Sequence, residues 1–246
     1  MKKYVNLFVF VFMIGACLSQ GRAQTKSAVS YKNPVVDIAM PDPTVIKAAD
    51  GYFYVYATES TRNVPIMKSK DLVEWTYCNT AFTNKTRPRF EPKAGIWAPD
   101  INYINGKYVL YYAMSVWGGE QTCGIGVATA NSPQGPFTDH GKMFRSNEIG
   151  VQNSIDPSLL QYEGRNYLVW GSFRGIYVIE LTADGLSIMS GAKKKRIAGT
   201  AFEAVYIHKH GDYYYMFASI GSCCQGVKST YKVVVRRSKK VWGPYK

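Results

Sequence analysis

The sequence predicts an all-β chain folded as a propeller, and three observations lead there. One grammar recurs four times: an acid, a short apolar run, a glycine turn and a second apolar run. It reads Asp42-Pro43-Thr44-Val45-Ile46 turning at Asp50-Gly51, and Asp100-Ile101-Asn102-Tyr103 turning at Asn105-Gly106. It returns as Asp156-Pro157-Ser158-Leu159-Leu160 turning at Glu163-Gly164, and as Glu203-Ala204-Val205-Tyr206-Ile207 turning at Gly211-Asp212. The acids lie 58, 56 and 47 residues apart, a period that suits a unit of several strands. Tyrosine, valine, isoleucine and tryptophan carry the runs, with no amphipathic helical period between them. Nineteen tyrosines and twenty-two glycines suit strands joined by many tight turns. In a propeller each repeat is a four-stranded blade whose innermost strand lines a central channel. An acid heading every innermost strand is therefore expected to meet the others around one axis.

Residues 1–23 read as a secretory signal, with Lys2 and Lys3 before an apolar run and a cleavage site after Gly21-Arg22-Ala23. The run falls short of the roughly 18 residues that a membrane-spanning helix needs. Ile14-Gly15-Ala16-Cys17 also looks like a lipobox, so lipidation at Cys17 is the alternative to simple export. Either route delivers the protein to the periplasm, the outer surface or the medium. Residues 24–246 are the propeller domain. Its first blade is expected to place strands over 44–46, 52–57, 64–68 and 74–77. The second follows over 101–103, 108–114, 124–128 and around Phe137, and the third over 158–160, 167–171, 175–179 and 186–189. The stretch Asn131-Ser132-Pro133-Gln134-Gly135-Pro136-Phe137 is echoed by Ser238-Lys239-Lys240-Val241-Trp242-Gly243-Pro244-Tyr245, where a third strand turns toward an outer one. The chain is expected to stop before the fourth blade's outer strand is complete.

The formal net charge is +13, and the signal accounts for only three of the basic residues. The basic runs Lys193-Lys194-Lys195-Arg196 and Arg236-Arg237-Ser238-Lys239-Lys240 fall where turns or edge strands are expected, as solvated faces do. No helix-turn-helix, zinc-finger or RNA-binding signature accompanies them, and export argues further against a nucleic-acid partner. Four cysteines follow the signal, Cys78, Cys123, Cys223 and Cys224, and none has zinc-ligand spacing with a histidine, so neither a metal site nor a disulfide is assigned. His140, His208 and His210 lie in no nucleophile context, and no phosphate loop or dinucleotide fingerprint is present. A monomer is expected.

What remains for chemistry is carboxylates. Several acids converging in an aromatic-lined channel suit glycoside hydrolysis, in which one carboxylate serves water or carbon and a protonated one releases the leaving oxygen. A third carboxylate nearby would favour the protonated form of the acid by like-charge repulsion. Aromatic faces stack on sugar rings and polar groups read hydroxyls, which makes Trp97, Asn153, Ser172 and Phe173 candidates for a substrate cleft.

The ordered series PDPTVI, IWAPDI, NSIDPSLL with WGSF, FEAVYI and GSCCQGVKSTYKVVVRRS followed by GPY resembles glycoside hydrolase family 43, and within it the arabinan endo-1,5-α-L-arabinanases. The resemblance covers the chain from about Asn33 to its last residue. It implies a five-bladed β-propeller of which about four blades are present here, hence an unclosed ring. It implies that Asp42 is the general base that activates water for inversion, Glu203 the general acid, and Asp156 the aspartate that tunes and orients that acid. Inversion implies a base-to-acid separation of about 6.5–9.5 Å. Asp100 matches no catalytic role and is read as structural. No cofactor is implied for the chemistry. A structural calcium is implied, but the segment that would carry its histidine ligand is absent from this chain. The partner implied is arabinan, the side chain of pectin. Two alternatives stay open: an exo-acting α-L-arabinofuranosidase or β-xylosidase of the same family, and a non-catalytic glycan-binding propeller.

Overall fold

The computed structural model describes residues 30–246, so the expected signal and Cys17 lie outside the described residues. Blade 1 holds β1 (Thr44–Lys47), β2 (Phe53–Tyr56), β3 (Pro65–Ser69) and β4 (Thr76–Thr80), and blade 2 holds β5 (Gly95–Ile104), β6 (Lys107–Ser115), β7 (Gly124–Ala130) and β8 (Thr138–Arg145). A one-turn helix, α1 (Ser146–Ile149), leads into blade 3, made of β9 (Ser158–Tyr162), β10 (Arg165–Trp170), β11 (Ile176–Glu180) and β12 (Lys195–Ala198). Blade 4 holds β13 (Glu203–His210), β14 (Tyr213–Ile220) and β15 (Lys232–Ser238). Each sheet is antiparallel with strands in chain order, three sheets four-stranded and the last three-stranded. Lys246 turns back to exchange both backbone hydrogen bonds with Arg237, at 2.9 and 3.0 Å. The innermost strands are neighbours in succession, β1 with β5, β5 with β9 and β9 with β13. This is the expected propeller arrangement.

Alternation within the second strands explains how the blades stack. In β6, Leu110, Tyr112 and Met114 join the apolar layer shared with blade 1, which also contains Tyr54, Tyr56 and Ile66. The intervening Val109 and Tyr111 join the layer shared with blade 3, beside Leu168 and Trp170. Strand β10 repeats the device, since Val169 faces blade 4 and meets Ile207, Met216 and Ala218. Strand β6 is thus buried on both faces, and burying each large apolar side chain contributes about 1.5–3 kcal/mol. The face of blade 4 away from blade 3 instead exposes Tyr206, Phe217, Val233 and Val235.

One expected strand is misplaced. Residues 186–189 were expected as the outer strand of blade 3, but that strand is β12, which begins inside the basic run, pairing Lys195 with Val178 and Ala198 with Ile176. Leu186 and Ile188 instead pack against the layer between blades 2 and 3, while Thr182 and Ser187 close a turn around them. Burial of two aliphatic side chains decides the placement, and the lysines take the solvated edge, as outer strands favour.

The four repeats share a feature that the acid spacing misaligns. Asp42, Ala98, Asp156 and Ala204 all have left-handed backbone, with φ of 50°, 42°, 58° and 51°. In β5 and β13 the residue sits in a register shift, between Trp97 and Asp100 and between Glu203 and Tyr206. In those two blades the bulge re-aims the side chain at the head of the inner strand. Structural equivalence therefore follows the left-handed position. Asp42 and Asp156 occupy it, Glu203 precedes it, and Asp100 lies two residues beyond, so the expectation that all four acids sit at one blade position is corrected.

That offset makes Asp100 a tie between three blades. It is buried and accepts hydrogen bonds from Leu159 N (2.7 Å, blade 3), from Asn102 Nδ2 (2.7 Å) and from Thr44 Oγ1 (3.4 Å, blade 1). Burial pushes its carboxyl up to about 6, against the pull of those three bonds. Because the folded value lies above the unfolded one of about 3.9, the folded chain holds the proton more tightly. The group's contribution to stability is therefore present at low pH and is lost, on the order of 2–3 kcal/mol, as pH rises from about 4 to about 6. An asparagine can keep the Leu159 and Asn102 bonds through its carbonyl and face Thr44 Oγ1 with its amide. Asp100→Asn is expected to fold and to flatten unfolding free energy against pH across that window. Urea denaturation at a series of pH values measures this, and an unchanged slope would remove Asp100 as its source.

Candidate active site

Asp42 reaches the cleft from blade 1. It is exposed, and its Oδ2 accepts a 2.6 Å hydrogen bond from Thr58 Oγ1. That hydroxyl in turn accepts the Ala98 N–H at 2.7 Å, so a blade 2 amide fixes the direction in which Thr58 donates.

Asp156 comes from the left-handed position just before β9 in blade 3. The loop that delivers it rests on a buried chain of contacts. Trp170 Nε1 donates to Ser154 Oγ at 3.1 Å, Ser154 N donates to Ser146 Oγ at 2.9 Å, and Ser146 Oγ lies 3.2 Å from Cys123 Sγ. Trp170 is fully buried, which anchors the loop from below. Burial first, then the charges of Glu203 and Asp42, raise the Asp156 carboxyl well above the usual range, with only the Ala204 N–H pulling it down. Asp156 is thus the carboxyl on which both other acids act.

Glu203 opens β13 and is 8% exposed. Its Oε2 accepts a 2.6 Å hydrogen bond from Ser172 Oγ, and Ser172 and Glu203 also form a backbone bridge between blades 3 and 4. Asn153 Nδ2 donates to Ser172 Oγ at 2.9 Å and to Ser172 O at 3.2 Å. Gly171 makes this possible: its φ is 128°, and a Cβ there would stand 2.3 Å from Gly175 O. Ser172 was expected to read substrate hydroxyls but is 1% exposed, and its hydroxyl is engaged by Glu203. Ser172 thus holds Glu203 directly, and Asn153 holds Ser172.

Trp97 is half-buried, directly before the bulge of blade 2. Trp117 packs edge-on against it, with centroids 6.3 Å apart, and is 78% exposed. Sequence reasoning missed Trp117; its one signal was a tryptophan in the Gly-rich stretch Trp117-Gly118-Gly119-Glu120 between two strands. Its loop is tied to blade 3, since Arg174 donates to both oxygens of Glu120 (3.0 and 2.9 Å) and Asn153 N donates to Glu120 O at 2.8 Å. Phe173, beside Arg174, is half-buried with φ 49°, and its N–H is bonded to Phe202 O at 2.9 Å.

Cys223 and Cys224 are joined by a disulfide, and Cys78 and Cys123 are free. A 720 Å³ apolar recess lies on blade 1, lined by Pro34, Val36, Ile38, Val45, Leu72 and Trp75; none of the three acids lines it. Among the described residues no three of His, Cys, Asp and Glu come together as an ion cage. The buried acid Asp100 has its oxygens taken by protein donors, so the residues present do not fit a calcium ion.

Successive antiparallel blades whose innermost strands are neighbours define a β-propeller, and the charges of Asp42 and Glu203 reach Asp156 within it. The model for "Glycosyl hydrolases family 43" matches residues 31–246, and the chain belongs to that family. It is 37% identical over 217 residues to the extracellular endo-alpha-(1->5)-L-arabinanase 1 of Bacillus subtilis (strain 168), covering 83% of this chain and 66% of that protein. It is 35% identical over 232 residues to the extracellular exo-alpha-(1->5)-L-arabinofuranosidase ArbA of Cellvibrio japonicus (strain Ueda107), covering 83% and 65%. The solved structure of Cellvibrio cellulosa alpha-L-arabinanase complexed with arabinohexaose superposes with a TM-score of 0.75 at 31% identity, over 85% of this chain and 73% of that one. The chain spans about two thirds of the length of these two curated relatives. No described helix is long and apolar enough to cross a membrane.

Proposed function

We propose that the chain is an exported, inverting glycoside hydrolase that cleaves internal 1,5-α-L-arabinofuranosidic bonds of arabinan. The observation that carries the reading is Asp156, whose carboxyl is raised by burial and then by the charges of Glu203 and Asp42. Burial and the two neighbouring carboxyls favour the protonated form of Asp156. Glu203 is the acid that delivers a proton to the leaving group. With Oε2 facing Ser172, the proton leaves from Oε1 to the glycosidic oxygen as the bond to the anomeric carbon breaks. Asp42, exposed and steered by Thr58, is the base: it takes a proton from water as the water oxygen attacks the anomeric carbon from the opposite face. The sugar product carries the new hydroxyl in inverted configuration. Trp97 and Trp117 offer apolar faces at which sugar rings stack.

Names among the relatives support the substrate and export, and they divide over where the polymer is cut, one being an endo-arabinanase and another an exo-arabinofuranosidase. Incubating the purified chain with linear 1,5-α-L-arabinan, and following reducing ends together with product lengths, separates these. Mixed short oligomers are expected. Release of arabinose alone would transfer the reading to exo action, and no turnover by folded protein would leave a glycan-binding propeller. Proton NMR of the first anomer formed tests inversion in the same reaction.

A further inference from the structure

We propose that the recess between the β2–β3 and β4–β5 connections is a second glycan site, one that takes the carboxylate of a uronic-acid unit. The choice of ligand rests on the arabinan reading, because the pectin backbone that carries arabinan bears such carboxylates. The cationic recess is independent of it.

The recess has a volume of 270 Å³ and is lined by Arg62, Arg87, Arg89 and Lys93. Among the described residues Glu91 is the one acid that lines it, and its carboxylate is already engaged by Arg145 and, at 2.9 Å, by Thr122 Oγ1. Arg87 is engaged likewise, since it donates to both oxygens of Glu59. That leaves Arg62, Arg89 and Lys93, all exposed and without an ion-pair partner among the described residues. Three uncompensated cations in one concave place concentrate anions.

The free arginines are held in position by one residue. Asn84 Oδ1 accepts Arg62 Nε at 3.0 Å, and the Asn84 carbonyl oxygen accepts Arg89 Nη2 at 3.0 Å. Asn63 Nδ2 donates to the same Oδ1 at 3.2 Å, and buried Asn63 is in turn bonded by Arg87 through its Oδ1 at 3.2 Å. The network thus runs from the surface pair to a buried guanidinium. Arg62 keeps both terminal nitrogens for a ligand, and Arg89 keeps Nε and Nη1. Forked donors of this kind match the two oxygens of a carboxylate.

Topology puts the recess at the end of the blade where Asp42 stands. Blade 1 is antiparallel in chain order, so the end at which Asp42 precedes β1 also carries the β2–β3 connection, with Arg62, and the exit of β4 toward Arg87, Arg89 and Lys93. Glu59 N donates to Ile96 O at 3.1 Å, which fixes that end of blade 1 to the start of β5. The Trp97 indole covers Gly95, where a Cβ would lie 2.3 Å from Nε1, and the preceding residue, Ala94, lines the recess. The anion site and the Trp97 platform therefore lie side by side. Arabinan is neutral and offers these cations nothing, whereas a uronic-acid unit presents a carboxylate on a ring. The pair suits a polymer that joins neutral and acidic sugars.

Isothermal titration calorimetry with α-1,4-trigalacturonate, and with its methyl ester as a neutral analogue of the same shape, tests the site on the unmodified chain. The acid form is expected to bind, the ester about tenfold more weakly or not at all, and raising salt from about 50 to about 500 mM to weaken the acid form severalfold. Arg62→Gln combined with Lys93→Asn removes two of the charges; glutamine retains a side-chain donor, and asparagine suits the left-handed backbone of Lys93, φ 62°. This variant is expected to melt with the wild type and to bind the acid form about tenfold more weakly, with kcat and KM on linear 1,5-α-L-arabinan within about twofold. Equal affinity for acid and ester, full affinity in the folded variant, or inorganic phosphate bound as tightly as trigalacturonate would each overturn the proposal. A chain without turnover on arabinan that still discriminates acid from ester would overturn the arabinanase reading and leave the site standing. An active chain indifferent to trigalacturonate would do the reverse.

Discussion

Glu203→Gln is expected to remove hydrolysis of linear 1,5-α-L-arabinan, by a factor of roughly 10²–10⁴ if another donor partly substitutes and to the detection limit if none does. The substitution is nearly isosteric. Its carbonyl oxygen can accept the Ser172 hydroxyl as Oε2 does, so the bridge between blades 3 and 4 is kept. What is lost is the proton for the departing oxygen. The folded state should therefore be unchanged by circular dichroism and thermal melting, and arabinan should still bind, while reducing ends cease to accumulate. Binding without turnover in the variant, with turnover in the wild type, assigns the acid. Turnover in Glu203→Gln within tenfold of the wild type would reject the assignment.

Glu59→Ala is expected to cost about 3–5 kcal/mol of folding stability, because it strands a buried guanidinium. Arg87 is 9% exposed and donates to both oxygens of Glu59, to Asn63 Oδ1 at 3.2 Å and to Ala94 O at 2.8 Å. Glu59 also accepts Asn63 N at 2.8 Å and Ile96 N at 3.0 Å, so one carboxylate organises the end of blade 1 and the start of β5, one residue before Trp97. Burial on its own would raise this carboxyl; the bonds from Arg87, Asn63 and Ile96 outweigh it and hold it below the usual range. The sign follows. A depressed folded value contributes stability above the unfolded value, and that contribution is lost as pH falls through the folded one. Urea unfolding of wild type and Glu59→Ala at pH 7 and through the acid range measures both effects. A difference under about 1 kcal/mol at pH 7 would mean that water, and not Glu59, satisfies Arg87.

The strands and their order were legible because strands buried on both faces read as continuous apolar runs between turns, as β6 and β10 do. The offset between Asp100 and the other acids was not. Motif spacing aligns residue types, whereas the blades align on a backbone angle that no residue name reveals: alanine occupies the left-handed position as often as aspartate does. The outer strand of blade 3 was hidden for a related reason. Leu186-Ser187-Ile188 alternates as a strand would, and its aliphatic side chains pack on the core, yet its backbone is a bend that makes only one isolated bridge, Ile188 with Leu181. Asn153 and Ser172 were recognised as belonging to the site, but residue type cannot distinguish a hydroxyl that meets sugar from one that meets a carboxylate. Trp117 lies in a loop with no period to mark it, and only its exposure beside Trp97 brings it into the cleft.

The recurring left-handed residue makes the propeller a frame with interchangeable sockets. Two sockets hold aspartates and two hold alanines, at Ala98 and Ala204, although left-handed backbone costs an ordinary residue about 1–2 kcal/mol and suits asparagine and aspartate better. Retaining that conformation under alanine shows that the bend belongs to the architecture and not to the acid placed on it. New chemistry can therefore be installed at the head of a blade by changing one side chain, with the strands, the layers between them and the neighbouring sockets left as they are.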